Sequence, residues 1–236
     1  MKISVLTPSN RSIEGLKIVE KALKRQKFRD FEWIIGSPTM PSGLTLPFKW
    51  VQDPPKKEGD VWVFNKLMNE MVRQAEGELI VSVQDFTSFT PDALNKFWFH
   101  YVNNPTGCVS GVGNKYSDEA FTEQVWKDPR ERDDQGSFYE TYFNNWEGNF
   151  GSIPKQAILD VGGFDEDMDC VWGLDWYSVN YRAEKLGYTY YLDQTNKSYS
   201  LTHGRYAGWD DNNAMNGYYQ SRLPFYRESN YKLLYL

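Results

Sequence analysis

Two stretches of the chain carry residues whose types and spacing suit chemistry. One is Gly162-Gly163-Phe164-Asp165-Glu166, followed by Trp172-Gly173-Leu174-Asp175, with Arg182 and Gly187-Tyr188 beyond. It sets a lone carboxylate, Asp175, just after a glycine-rich turn, where Leu174, Tyr177 and Tyr181 recur at helical spacing. A carboxylate so placed can accept a proton from a hydroxyl held in a cleft, provided the site is dry enough to tune its pKa. Trp172, Trp176 and Tyr177 are the aromatic neighbours that supply dryness. The plainer reading is that Asp175 caps its helix, as Asp commonly does. The other stretch is Gln84-Asp85-Phe86, at the end of an apolar run. There Asp85 can hold a hard divalent cation that bridges phosphates, or serve only as a turn residue.

These residues need elements to position them. Residues 3–6 read as a buried strand closed by Thr7-Pro8-Ser9-Asn10, and Ser12 then caps a helix patterned by Ile13, Leu16, Val19 and Leu23. Residues 31–35, 48–51 and 79–83 read as further strands, the first closed by Gly36-Ser37-Pro38. Val63, Leu67 and Met71 outline a second helix, and Thr90-Pro91 opens a third with proline at its first position. Residues 107–113 read as another strand, and 188–192 as the strand after the Asp175 helix. This alternation predicts an α/β fold with a doubly wound, mostly parallel sheet flanked by helices. Ligands of such sheets bind at the carboxyl ends of the strands, which gathers Thr7, Pro8, Asn10, Gly36, Ser37, Gln84 and Asp85 along one edge. Residues 114–150 are polar, aromatic and aperiodic, and predict a long functional or surface connection.

Composition sets the outer bounds. A length of 236 residues suits one α/β domain that buries about 70% of its unfolded surface. With 26 Lys plus Arg against 32 Asp plus Glu, the net charge of −6 argues against a broad nucleic-acid footprint. Aromatics reach 17%, rich in the Tyr and Trp that stack on sugar and base faces. Two cysteines, Cys108 and Cys170, are too few for a disulfide scaffold, so a reducing, cytoplasmic location is expected. No apolar run reaches the ~18 residues of a membrane span.

Three blocks, in order, resemble the family 2 glycosyltransferases. Ser4-Val5-Leu6-Thr7-Pro8-Ser9-Asn10-Arg11 resembles the family's opening strand and turn, one residue short. Residues 77–85 with Pro91 resemble the strand that delivers its D-x-D motif, and Gly162 to Tyr188 resembles its G-G-F-D-E…E-D…R…G-Y block. The resemblance covers residues 1–205 and implies a GT-A fold, with 1–112 binding a nucleotide-sugar, 113–205 binding the acceptor, and 206–236 a C-terminal aromatic-rich extension. It further implies donor contacts from Thr7, Pro8, Asn10, Arg11, Gly36, Ser37, Asn65, Gln84 and Asp85. Acceptor contacts fall on Asp165, Glu166, Trp172, Gly173 and Trp176, and Asp175 is the general base. Asp85 and the late histidine, His203, become ligands for Mn2+ or Mg2+, since mixed oxygen and imidazole ligation suits manganese as well as magnesium. The chain departs from the pattern in four places. Gly36-Ser37-Pro38-Thr39 replaces an acidic turn, Phe64 replaces an arginine before Asn65, Gln84-Asp85-Phe86 replaces D-x-D, and Leu174-Asp175 replaces Glu-Asp.

The function implied is a metal-dependent, inverting transfer of a sugar from a nucleotide-sugar to an acceptor hydroxyl. The acceptor is a carbohydrate, or a hydroxylated nucleic-acid base whose phosphates Lys127, Arg130 and Arg132 would touch. Two other classes stay open. A nucleotidyltransferase would use a similar sheet to attack an α-phosphate, and a non-catalytic module would keep the nucleotide or sugar site without the chemistry. The oligomeric state is not legible.

Overall fold

The computed structural model describes residues 1–10, 12–55, 63–169 and 175–202 and, of Asp175, the backbone only. Arg11, Trp172, Gly173, His203 and the tail therefore lie outside the described residues. The first half lays down β1 (Ile3–Pro8), α1 (Ile13–Lys24), β2 (Phe31–Ser37), β3 (Lys49–Gln52), α2 (Phe64–Gln74) and β4 (Leu79–Val83). There follow β5 (Thr87–Phe89), α3 (Ala93–Asn103), β6 (Gly107–Tyr116), β7 (Gln124–Trp126) and β8 (Phe138–Thr141). The chain then forms β9 (Phe150–Pro154), α4 (Lys155–Asp160), α5 (Asp175–Lys185) and β10 (Thr189–Leu201).

All the strands among the described residues join one sheet in the order β3-β2-β1-β4-β9-β6-β10-β5, with β7 added to β6 and β8 to β10. The expected parallel character holds across β3, β2, β1 and β4 and again between β6 and β10. Antiparallel β9 joins these two blocks.

Both faces of the sheet are covered, which is why β1, β2 and β4 are mainly apolar on both faces, with only Ser4, Glu32 and Ser82 as polar breaks before their carboxyl ends. Ile3, Val5, Trp33, Ile35 and Val81 pack with α1 and α3 on one face. Leu6, Ile34 and Ile80 pack with α2, α4 and α5 on the other. Gly36 lets α2 approach the end of β2: a Cβ there would sit 2.6 Å from Met71 Sδ and 2.8 Å from Leu67 Cδ1.

Several expectations change. The strands extend further toward their carboxyl ends than the apolar runs do, to Pro8, Ser37 and Tyr116. Helix α3 starts at Ala93, so Pro91 lies before its N-cap residue Asp92 rather than inside its first turn. Ser12 occupies the N-cap of α1, but its side chain makes no cap bond. It bonds Glu14, whose carboxyl this bond holds below its ordinary pKa. Residues 114–150 are not a bare connection, because they supply β7, β8 and a 3₁₀ turn at Phe143–Asn145. Strands β7 and β8 leave much of their surface in water, so no apolar alternation marks them. Strand β10 runs nine residues past the expected end, through a register shift between Asp193 and Lys197 whose polar sequence reads as a loop. The expected division at 112/113 falls inside β6.

Candidate active site

The carboxyl ends of the adjacent strands β2, β1 and β4 converge on one spot. Ser9 N–H donates to Gly36 C=O at 2.8 Å, and Ser9 Oγ donates to Asp85 Oδ2 at 2.8 Å. Asp85 is only 3% exposed, so its carboxylate is held rather than solvated. The turn that carries it is strained: Phe86 has φ 59°, a left-handed conformation that bulky residues rarely adopt. Such strain persists only where surrounding contacts enforce it, and it clusters at functional sites. Here Phe86 N–H bonds Gly15 C=O at 3.2 Å. Its ring lies over Gly15, where a Cβ would come within 2.6 Å of ring carbons. From the other side Leu201 N–H donates to Phe86 C=O at 3.1 Å, so β10 ends against the Asp85 turn.

The expected donor residues divide by what they touch. Thr7 is fully buried, and its hydroxyl accepts from Trp33 Nε1 at 3.0 Å. It builds the β1 end from inside. Ser37 Oγ donates to Thr39 C=O and accepts from Trp50 Nε1 at 3.1 Å, so that hydroxyl shapes the β2 turn. Pro8 is buried beside Gly36, while Asn10 and Gln84 are half-buried at the edge of the cluster. Asn65 lies in the first turn of α2, the helix that packs on Gly36. Its Oδ1 is buried and, among the described residues, has no hydrogen-bond partner.

The glycine-rich block folds for reasons the chain makes explicit. Gly162 at φ 74° and Gly163 at φ 85° end α4, with Gly162 N–H on Leu159 C=O and Gly163 N–H on Ile158 C=O. This is the Schellman motif, which needs a left-handed residue. Gly187, at φ 93°, ends α5 in the same way through bonds to Glu184 and from Tyr188 to Ala183. Between the two caps, buried Arg182 forks its guanidinium onto Val161 C=O at 2.6 Å and Gly163 C=O at 2.7 Å. Asn69 of α2 clamps the same loop, with Phe164 N–H on its Oδ1 and its Nδ2 on Phe164 C=O and Glu166 Oε1. Asp165 is 1% exposed and accepts from Asp167 N–H. Asp165 and Glu166 therefore shape this loop. Asp169 accepts N–H bonds from Asn65 and Lys66 and so caps α2 from a distance. Burial pushes its carboxyl above the ordinary range despite those bonds.

Helix α5 has Asp175 as its first residue, and Arg182 within it ties the helix to the Gly162-Gly163 turn. Trp176, expected to face the acceptor, is packed instead among Trp146, Phe164 and Gly148. Its ring anchors the helix start. The turn containing Gly148 also touches the Asp85 strand, since Ser82 Oγ donates to Gly148 C=O and Gln84 N–H donates to Asn149 C=O. Residues 146–149 therefore bridge the start of α5 and the Asp85 turn.

Sequence reasoning missed Ser9, Asn69 and Glu147. Ser9 and Asn69 are ordinary letters whose roles need the partner strand or loop. Glu147, in the bridging turn, has Oε2 3.4 Å from Arg130 Nη2. Burial raises its carboxyl, and Arg130 pulls the other way. Arg130, expected to be available to phosphates, is bound up with Asp128, Ser110, Gly111 and Asn145.

Among the described residues no three His, Cys, Asp or Glu side chains gather as a metal cluster. A single buried carboxylate with a hydroxyl beside it still fits magnesium or manganese, which take remaining ligands from substrate phosphates and water. Asp85 is the residue that would hold such an ion.

No protein-family model matches the chain, and no curated protein matches it. Solved structures do. One is GalNAc-T7 with UDP, GalNAc and Mn2+, at TM-score 0.66 and 10% identity, covering 98% of this chain and 52% of that one. Another is S. aureus TarS 1-349 in complex with UDP, at TM-score 0.60 and 16% identity, covering 86% and 61% respectively. The chain spans about half the length of the first and less than two thirds of the second. Both neighbours are GT-A glycosyltransferases, and this chain has their fold.

Proposed function

We propose that the chain is a metal-dependent, inverting glycosyltransferase that moves a sugar from a nucleotide-sugar to an acceptor hydroxyl. The observation that carries the reading is the Ser9–Asp85 bond, in a strained turn at the carboxyl ends of β1, β2 and β4. That is where ligands of doubly wound sheets bind. Neighbours of the same fold were solved with UDP, one of them also with Mn2+ and GalNAc.

In this reading residues 1–112 bind the donor, residues 113–205 the acceptor, and 206–236 form an extension. Thr7, Pro8, Gly36 and Ser37 form the wall beneath the nucleotide. Asn10, Arg11 and Gln84 reach it, with Asn65 at the start of α2 behind them. Asp85 and His203 would hold Mn2+ or Mg2+, and a bound ion would supply charge neutralisation for the leaving diphosphate. Ser9 orients the Asp85 carboxylate through its bond to Oδ2. Asp175 takes the proton from the acceptor hydroxyl as it attacks, and Trp176 with the 146–149 turn holds Asp175 at the right depth. Asp165, Glu166, Trp172 and Gly173 form the acceptor-side wall, the first two by shaping it.

The test is thermal stability against a panel of nucleotide-sugars, with and without manganese. A ligand at ~100 times its dissociation constant adds about 2.7 kcal/mol, a readable shift. A metal-dependent shift with one nucleotide-sugar supports the reading. A shift only with nucleoside triphosphates, with pyrophosphate release, would replace it by nucleotidyl transfer.

A further inference from the structure

An open cavity of about 470 Å³ lies among the residues that follow β7, beyond the donor residues discussed above. Its wall includes Arg130, Arg132, Tyr139, Glu140, Tyr142 and Asn145. That volume lies within the range of small-molecule sites. Tyr142 is 73% exposed, and Tyr139 is tied by its hydroxyl to Arg130 C=O at 2.9 Å. Rings of this kind offer an apolar face with a polar edge, which suits the mixed surface of a sugar.

The charges in the wall decide which ligand fits. Arg130 is matched by Asp128 and Glu147, with 3.4 Å to the latter. Arg132 is matched by Asp134, with Nε at 2.9 Å and Nη2 at 2.6 Å from its oxygens. Among the described residues, Glu140 has neither an ion-pair nor a hydrogen-bond partner through its side chain. Two neutralised arginines and one spare carboxylate leave no net positive charge for phosphate or sulfate. Arg130 also reaches from the cavity to Glu147, and so to the turn that bridges Asp85 and the start of α5.

Resting on the glycosyl-transfer reading above, we propose that this cavity holds the acceptor, and that the acceptor is an uncharged carbohydrate rather than a nucleic acid or an anionic glycan. Tyr142 supplies a stacking face, Glu140 accepts hydroxyl hydrogen bonds, and the matched arginines set the wall.

The test applies the full chain to an array of neutral and anionic glycans, and separately to a fluorescent single-stranded DNA. Wild type is compared with Tyr142→Ala and Glu140→Lys, both at exposed or half-exposed positions. The expected result is retention on neutral glycans that is insensitive to salt and about tenfold weaker in each variant. Failure to retain any neutral glycan overturns the proposal. So does neutral-glycan binding that both variants leave unchanged, or selective binding of DNA or anionic glycans that falls steeply with salt. Nucleotide-sugar stabilisation is measured on the same three proteins. Donor stabilisation that survives in variants deficient in glycan binding supports the proposal. Its absence in wild type overturns the transfer reading, and the glycan array still decides what the cavity binds.

Discussion

At the scale of single residues, the candidate site depends on groups that are held rather than merely present. Asp85 is oriented by Ser9, so Ser9→Ala should weaken metal-dependent nucleotide-sugar binding by about tenfold, the worth of a hydrogen bond to a charged group. Titration of donor with and without manganese checks this, and equal affinities in wild type and variant would separate Ser9 from the metal. Arg182 carries a different kind of burden. Its fork serves two carbonyls at once, a geometry that a lysine cannot copy. Arg182→Lys should therefore cost about 1.5–3 kcal/mol in urea unfolding. The acid limb of stability should come from buried carboxylates. Burial pushes Asp128 and Asp193 upward, but Arg130 and backbone N–H groups for the first, and His100 and Thr195 for the second, outweigh it. Both end below their ordinary pKa values. A lowered folded pKa means stability present above the unfolded value and lost as pH falls through the folded one, so unfolding should set in below about pH 4. Replacing Asp193 by Asn should flatten that limb, and an unchanged pH profile would contradict the assignment.

At the scale of elements, the glycine-rich block is tied to the helices around it. One Schellman cap ends α4 and another ends α5, while Arg182 of α5 and Asn69 of α2 hold the loop that follows α4. Gly187→Ala isolates the backbone term, because nothing lies within 4 Å of the added Cβ. It should cost about 1–2 kcal/mol, read from the urea midpoint, with donor binding retained. Asn69→Leu should cost about 2–4 kcal/mol, because it strips both partners from the Phe164 backbone. Much of this architecture is legible in sequence, and for a physical reason. Strands buried on both faces are mainly apolar, and left-handed caps favour glycine, so β1, β2, β4, Gly162 and Gly187 announce themselves. What stays hidden is whatever depends on a distant partner. Nothing in the letters of Ser9 or Asn69 says that one meets Asp85 and the other Phe164. Trp176 misled for a related reason: an aromatic beside a carboxylate suits a ligand or a core equally well, and here Gly148 leaves the room that seats it in the core. Strands β7 and β8 escaped because a half-wet strand of three or four residues carries too few alternations to register.

At the scale of the whole molecule, one sheet carries the candidate site. Its parallel block gathers β1, β2 and β4 ends around Asp85, and antiparallel β9 joins that block to β6 and β10. The return of β10 to the Phe86 carbonyl ties the last described strand to the first half of the site. Three of the four departures from the resembling family's pattern remove acidic residues, so the proposed donor capture rests on Asp85. The most direct measurement is therefore the melting temperature with nucleotide-sugars and manganese, compared between wild type and Asp85→Ala. The account predicts a metal-dependent rise with at least one nucleotide-sugar in wild type and none in Asp85→Ala. A rise of equal size in both proteins would contradict it.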